Sequence, residues 1–155
     1  MRINLLDLFD VTVAENTEKI AVVQGTETIT FASLQDHAKK IGTMLLHELG
    51  GIKNRPIAVF MPKCIGAVVS DLAITYSGNI FMNMDVKTPA NRLESIIRTV
   101  KPVAVITIAA ERNKFTHLPS DVCVHVLEEL DLDAQLIDDV TLAGRRAELI
   151  DTDPW

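Results

Sequence analysis

The apolar positions change their period several times along the chain, and each change marks an element. Leu5, Leu8, Phe9, Thr12 and Val13 recur at helical spacing behind Asn4, a suitable N-cap, so the spacing predicts a first helix with one apolar face. "KIAVVQGTETITF" then reads as two short strands around a turn near Gly25 and Thr26, a hairpin. Thr30 is placed to cap a long helix in which Leu34, Ala38, Ile41, Leu45 and Leu49 share one stripe, and Gly50-Gly51 stops it.

From residue 55 the rhythm is strand, helix, strand, helix, strand. "RPIAVFMP" is an unbroken apolar run, as expected of a strand covered on both faces. Ile65, Val68, Val69, Leu72, Ala73 and Tyr76 then fall at helical spacing, closed by Gly78, and "NIFMNMD" returns to strand. Thr88 as N-cap with Pro89 at the first helical position opens a helix whose core stripe is Leu93, Ile96, Ile97 and Val100, with Glu94 and Arg98 four apart on its wet side. "PVAVITI" is a second doubly covered strand. In "DVCVHVLEEL", Val122, Val124 and Val126 alternate with Cys123 and His125, the pattern of a half-covered edge strand. Such alternation implies right-handed βαβ crossovers and an α/β fold, a mostly parallel sheet between helix layers. Ile57, Val59, Val68, Leu72, Ile96, Val103 and Val105 are its expected core. The irregular acidic segment from residue 128 to 155 predicts a strand or a short helix followed by a tail.

Composition narrows the possible partners. A chain of 155 residues suits one domain or one lobe of something larger, and can bury a core without staples. Formal net charge is −6, so no basic field is available for nucleic acid or an anionic membrane. No apolar run approaches the ~20 residues of a membrane span, and the acids within "MRINLLDLFD" argue against a signal peptide. Cys64 and Cys123 form no disulfide framework, which points to a reducing, cytoplasmic compartment.

Ligands of open parallel sheets bind beyond the carboxyl ends of the strands, here "FMPKC" (60–64), "MNMDVK" (82–87) and "TIAAER" (107–112). None carries the clustered glycines that let backbone N–H groups close around a phosphate. Lys63 reads as a solvated lysine, and Asp85 as a turn residue bonded to nearby backbone. His37, His47, His117 and His125 lie far apart, and neither cysteine has a histidine at a metal-ligand spacing. The run Asp131, Asp133, Asp138, Asp139 is no EF-hand loop, because its sixth position is Leu136 where glycine is required. Asp7 and Asp10 lie on a helix, unlike the acidic pocket of a phosphoacceptor domain. No serine sits in a nucleophile elbow. No catalytic, cofactor-binding or metal-binding residue is therefore assigned.

Taken in order, the segments "EKIAVVQGTETITFASLQDHAKKIG" (18–42), "IAVFMPKC" (57–64), "TYSGNIFMNMDVKTPANRL" (75–93) and "KPVAVITI" (101–108) resemble the N-terminal region of adenylate-forming enzymes. These are the AMP-dependent synthetases and ligases, and the amino-acid adenylation domains of nonribosomal peptide synthetases are the nearest in pattern. Gly78, Asp85, Pro89, Arg92 and Leu93 match the family stretch "LKAGAAYVPLD…P-x-x-R-L", and both Gly78 and Asp85 read as structural. Asn83 departs from the family's proline, and Thr75-Tyr76-Ser77 from Leu-Lys-Ala; neither position is catalytic in the pattern. The likeness is firmest over residues 3–110, within a single lobe spanning 1–155.

The resemblance implies a ligase that joins a carboxylate to ATP with Mg, giving an acyl-adenylate and pyrophosphate. The acyl group then passes to a phosphopantetheine thiol of a carrier protein or to coenzyme A. It also implies that "DTDPW" leads into a strand and the family's Ser/Thr/Gly-rich phosphate loop, so the chain is expected to be a truncated lobe, inactive alone. Expected partners are the remainder of the adenylation domain and, through the surface left by truncation, a second copy. With Met1 as the native start, the parent would be a free-standing ligase or an initiating module. Two rival readings stay open: a stand-alone α/β interaction module without catalysis, and a Rossmann-type nucleotide module, which lacks its glycine turn.

Overall fold

The computed structural model describes residues 4–149. Asn4 opens helix α1 (Leu5–Asn16) through a reciprocal cap, its side chain accepting the Asp7 N–H at 2.9 Å while Asp7 Oδ2 accepts the Asn4 N–H at 3.2 Å. The buried face of α1 is rotated from the expected one. Leu6 and Val13 are buried, whereas Leu5 and Leu8 are 44% and 59% exposed. Asp10 falls between Leu6 and Val13 on the same face, and its bonds to Tyr76 and Gln35 set the rotation of the helix.

Strands β1 (Ile20–Gln24) and β2 (Glu27–Thr30) form the expected hairpin, with Gln24 opposite Glu27 and Gly25 at φ +60° in the two-residue turn. Thr30 caps α2 (Phe31–Glu48) by accepting the Ser33 N–H at 3.2 Å, and Leu34, Ala38, Ile41 and Leu45 are buried beneath it. Strand β3 (Pro56–Phe60), helix α3 (Ile65–Tyr76), strand β4 (Ile80–Met84), helix α4 (Ala90–Val100), strand β5 (Ala104–Thr107) and strand β6 (Cys123–Val126) follow. The last four strands make one sheet of order β4-β3-β5-β6, parallel throughout, with Ile57 opposite both Phe81 and Ala104.

The two crossovers lie on opposite faces, as right-handed connections to strands on either side of β3 require. One core therefore lies between the sheet and α1, α2 and α3, and includes Leu45, Ile57, Val59, Ile74 and Ile106. The smaller core, with Ala58, Phe60, Leu93, Ile97, Val105 and Phe115, lies beneath α4 and the 3-10 helix Ala109–Phe115. Phe60 and Phe115 meet edge to face with ring centroids 5.1 Å apart. Ile57, Val59 and Val105 are buried as expected, but Val68, Leu72, Ile96 and Val103 are only half-buried. Val68 lines an open cleft beside the hairpin and Val103 lines a groove beside α4, so each keeps a solvent-facing side.

Helix α4 starts one residue later than expected. Pro89 takes the cap position itself (φ −58°, ψ 145°), and Thr88 makes no cap, because the Asp85 turn draws its N–H to the Asp85 carbonyl at 2.9 Å. Within the acidic stretch the expected short element is helix α5 (Asp139–Glu148), preceded by the 3-10 turn Leu127–Glu129. Asp138 caps α5, accepting the Thr141 N–H at 3.0 Å. The tail Asp151–Trp155 lies outside the described residues.

Gly78 ends α3 at φ +77°, with its N–H donating to Thr75 O at 2.9 Å and the Asn79 N–H to Ile74 O at 3.1 Å. A Cβ at this position would stand 2.5 Å from Arg145 Cδ, so the glycine both closes the helix and admits the arginine of α5. Arg145 also donates to the Gly51 carbonyl, placing its guanidinium near the ends of α2 and α3, where helix dipoles favour a cation.

Two outcomes follow from this packing. Val59→Asp places a carboxylate where Val59 is 1% exposed, and the urea midpoint should fall by the equivalent of about 3 kcal/mol or more; an unchanged midpoint would show that β3 is not the central strand. Gly78→Ala should cost about 2 kcal/mol, more than Gly50→Ala, which shares the positive φ but faces open space. The excess should shrink in an Arg145→Ala background, and additivity would contradict the contact.

A candidate functional site at the carboxyl ends of the strands

Strand order reverses between β3 and β5, so the carboxyl end of the sheet is where a ligand would bind in a fold of this class. A cleft of about 930 Å³ lies at the ends of β3 and β4, walled on one side by Val22, Val23 and Gln24 of the hairpin. Lys63 lines it and is exposed. Asp85 is the turn residue read from the sequence, its Oδ1 accepting the Lys87 N–H at 2.9 Å. Asp71 enters from α3, where no motif singles it out. Its Oδ2 accepts a bond from Asn83 Nδ2 at 2.9 Å, its Oδ1 is buried without a partner, and burial pushes its carboxyl up from the usual range.

Phosphate needs free backbone donors, and at two strand ends a donor is already bonded. The N-terminus of α3 follows β3 directly, but its Ile65 N–H donates to Gln24 Oε1 at 2.7 Å. Gly66 in the same turn serves packing, since a Cβ there would stand 2.7 Å from Leu127 Cδ1. After β5 the Ala109 N–H donates to Glu128 Oε2 at 3.1 Å, which puts a carboxylate where an anion would sit. Between these ends the Thr107 hydroxyl donates to Phe60 O at 2.7 Å, and Lys114 Nζ, 4.9 Å from the Phe60 ring centroid, donates to Val86 O at 2.9 Å. The Ile65 and Ala109 N–H groups are thus not free to receive a phosphate in this structure. Among the described residues no three His, Cys, Asp or Glu side chains converge.

One juxtaposition was invisible in the sequence. Cys123 and His125 share a face of β6 and both meet Glu48 at the end of α2, with His125 Nε2 3.2 Å from Glu48 Oε2. Burial, then the Glu48 carboxylate, pushes the Cys123 thiol up; burial lowers the His125 pKa against the opposing pull of Glu48. A nucleophilic cysteine needs the opposite, a lowered thiol pKa, so the cluster is a packed polar contact. His47 meets Asp138 at 3.3 Å, and His117 is exposed.

The acids of α1 hold the C-terminal helix. Arg146 of α5 donates through Nε to Asp7 Oδ1 at 2.7 Å, and its two terminal nitrogens reach Asp7 and Asp10. Asp10 also accepts from the Tyr76 hydroxyl at 2.5 Å and from Gln35 at 2.8 Å. Burial, then the Asp10 carboxylate, pushes the Tyr76 hydroxyl up, so it stays a proton donor. The Arg146 hydrogen bond outweighs burial and holds the Asp7 carboxyl below its usual range.

A buried parallel sheet between helix layers, with a hairpin at one side and a strand-end cleft, makes this an α/β lobe. Residues 9–152 match the family model of the AMP-binding enzymes, and the chain belongs to that family. D-lysergyl-peptide-synthetase subunit 1 of Epichloe festucae var. lolii is 33% identical over 90 residues, 58% of this chain and 2% of that protein. Novobiocin biosynthesis protein H of Streptomyces niveus is 27% identical over 118 residues, 76% of this chain and 19% of that protein. Among solved structures, the nonribosomal peptide synthetase FmoA3 shares the fold at 21% identity with a TM-score of 0.77, covering 88% of this chain and 14% of that one. The fatty acid AMP ligase from Legionella pneumophila does so at 23% identity and a TM-score of 0.71, covering 83% and 24%. The chain therefore spans less than a fifth of the length of either curated relative. Among the described residues no helix is long and apolar enough to cross a membrane.

The Arg146 contact yields a pH-dependent outcome. Asp7 has a depressed folded pKa, so its contribution is present above the unfolded value of about 3.9 and is lost as pH falls through the folded one. Arg146→Gln should lower stability at pH 6 by about 1 kcal/mol, and the gap from the parent should close as pH falls below about 4. A gap that stays constant across urea titrations in that range would assign the loss to packing.

Proposed function

We propose that residues 1–155 form the N-terminal lobe of an acyl- or aminoacyl-adenylate-forming ligase, and that this lobe is structural. The observation that carries the reading is the family match over residues 9–152, and the bonded Ile65 and Ala109 N–H groups at the strand ends agree with a structural role. The whole ligase would join a carboxylate to ATP with Mg and pass the acyl group to a carrier-protein phosphopantetheine or to coenzyme A. Names among the relatives, several of them nonribosomal peptide synthetases, favour the carrier protein.

In this reading no residue of the lobe is catalytic and none binds cofactor or metal. Val59, Phe60 and Val105 make the wall rigid, the Asp85 turn and Gly78 fix where its connections leave the sheet, and Gln24 holds the hairpin against α3. Alone, the lobe neither adenylates a carboxylate nor binds ATP. Its first partner is the remainder of the adenylation domain; where that is missing, two copies would pair through the surface it leaves. A reducing cytoplasm suits the two free thiols.

The gene beyond the Trp155 codon tests this reading. About thirty codons should encode a strand and then a Ser/Thr/Gly-rich loop with a Pro-Lys pair. A stop codon directly after Trp155 would contradict it and favour a stand-alone interaction module.

A further inference from the structure

The second face of the sheet carries a groove that the ligase reading does not use. Helix α4 covers that face, but the β5–β6 crossover supplies only the 3-10 helix Ala109–Phe115 and the loop 116–122 in place of a second full helix. Between them lies a cavity of about 670 Å³, within the size range of small-molecule sites. Its walls are apolar along most of their length: Leu93 and Ile97 from α4, then Phe115, Leu118 and Val122 opposite.

One end of this groove is charged. Arg55 at the start of β3 and Arg98 and Lys101 at the end of α4 all line it, and none of the three forms an ion pair among the described residues. Lys114 lines it too, but pairs with Glu111 at 2.7 Å and the Val86 carbonyl at 2.9 Å. Glu94 and Asp121 are the acidic lining residues. Three unpaired cations against two carboxylates make the lining positive, on a chain whose formal net charge is −6. The dipole of α4 accounts for Arg98 and Lys101 beside its last turn, but not for Arg55, which immediately precedes β3.

We propose that this groove is a binding site for a small amphipathic monoanion, an alkyl or aryl chain with one anionic head. The apolar body lies between α4 and Phe115, and the head meets Arg55, Arg98 and Lys101. An apolar wall this long gives a bare phosphate nothing to bury, and the sign of the end selects against an amine. The inference rests on this groove alone and stands or falls independently of the ligase reading.

Octanoate is the probe, titrated into the whole ¹⁵N-labelled chain and followed by amide chemical shifts, with octylamine as the charge control. Saturable shifts should cluster in 93–103 and 115–122, with octylamine weaker by about tenfold or more. The double variant Arg98→Gln/Lys101→Gln, at two exposed positions, should lose about tenfold in octanoate affinity while keeping its melting temperature. Equal binding of octylamine, unaltered affinity in the variant, or the absence of saturable shifts at millimolar octanoate would overturn the proposal. Shifts centred on the exposed Leu8 and Val23 would do so too, as would groove shifts with phosphatidylglycerol vesicles but none with octanoate.

Discussion

Burial of β3 on both faces governs the arrangement of everything around it. Ile57 and Val59 point to one side of the sheet and Ala58 and Phe60 to the other, and none is more than 1% exposed. A strand with no wet face needs a neighbour on each edge and a layer above and below. Parallel pairing to β4 and β5 supplies the edges, and right-handed crossovers then leave no choice but to place α3 and α4 on opposite faces. The order reversal beside β3 follows from that geometry, and with it the position of the strand-end cleft.

The polar side chains around this sheet hold the frame together. Gln24 ties the hairpin to the start of α3, Asn79 accepts the Arg55 N–H at 3.1 Å, and Asp7 and Asp10 grip Arg146. Helix α5 buries Leu142, with Leu149 just beyond it, so its attachment relies unusually on Arg145 and Arg146. Two backbone donors at the strand ends are bonded in the same way: the Ile65 N–H by Gln24, the Ala109 N–H by Glu128.

Much of this was legible in the sequence because it depends on local pattern. Unbroken apolar runs marked β3 and β5, the Asn4 cap and the Thr30 cap marked two helix starts, and Gly78 marked a helix end, each a matter of neighbours within a turn or two. The family, too, was readable from the order of such segments. What escaped was set by distance along the chain. Arg146 meets Asp7 across 139 positions, and that contact, with Tyr76 on Asp10, turned α1 so that Leu6 rather than Leu5 went inside. Cys123, His125 and Glu48 met for the same reason. At Pro89 the error was one of competition: two local signals claimed Thr88, and the Asp85 turn prevailed over the helix cap.

The central claim is that this lobe frames a nucleotide site without containing one. Calorimetric titration of Mg·ATP into the 155-residue chain tests it most directly. The account predicts no saturable heat at millimolar nucleotide, because N–H donors at the strand ends are already bonded. Micromolar binding would contradict it, and would mean that the cleft between the hairpin and β4 opens donors that the folded chain holds closed.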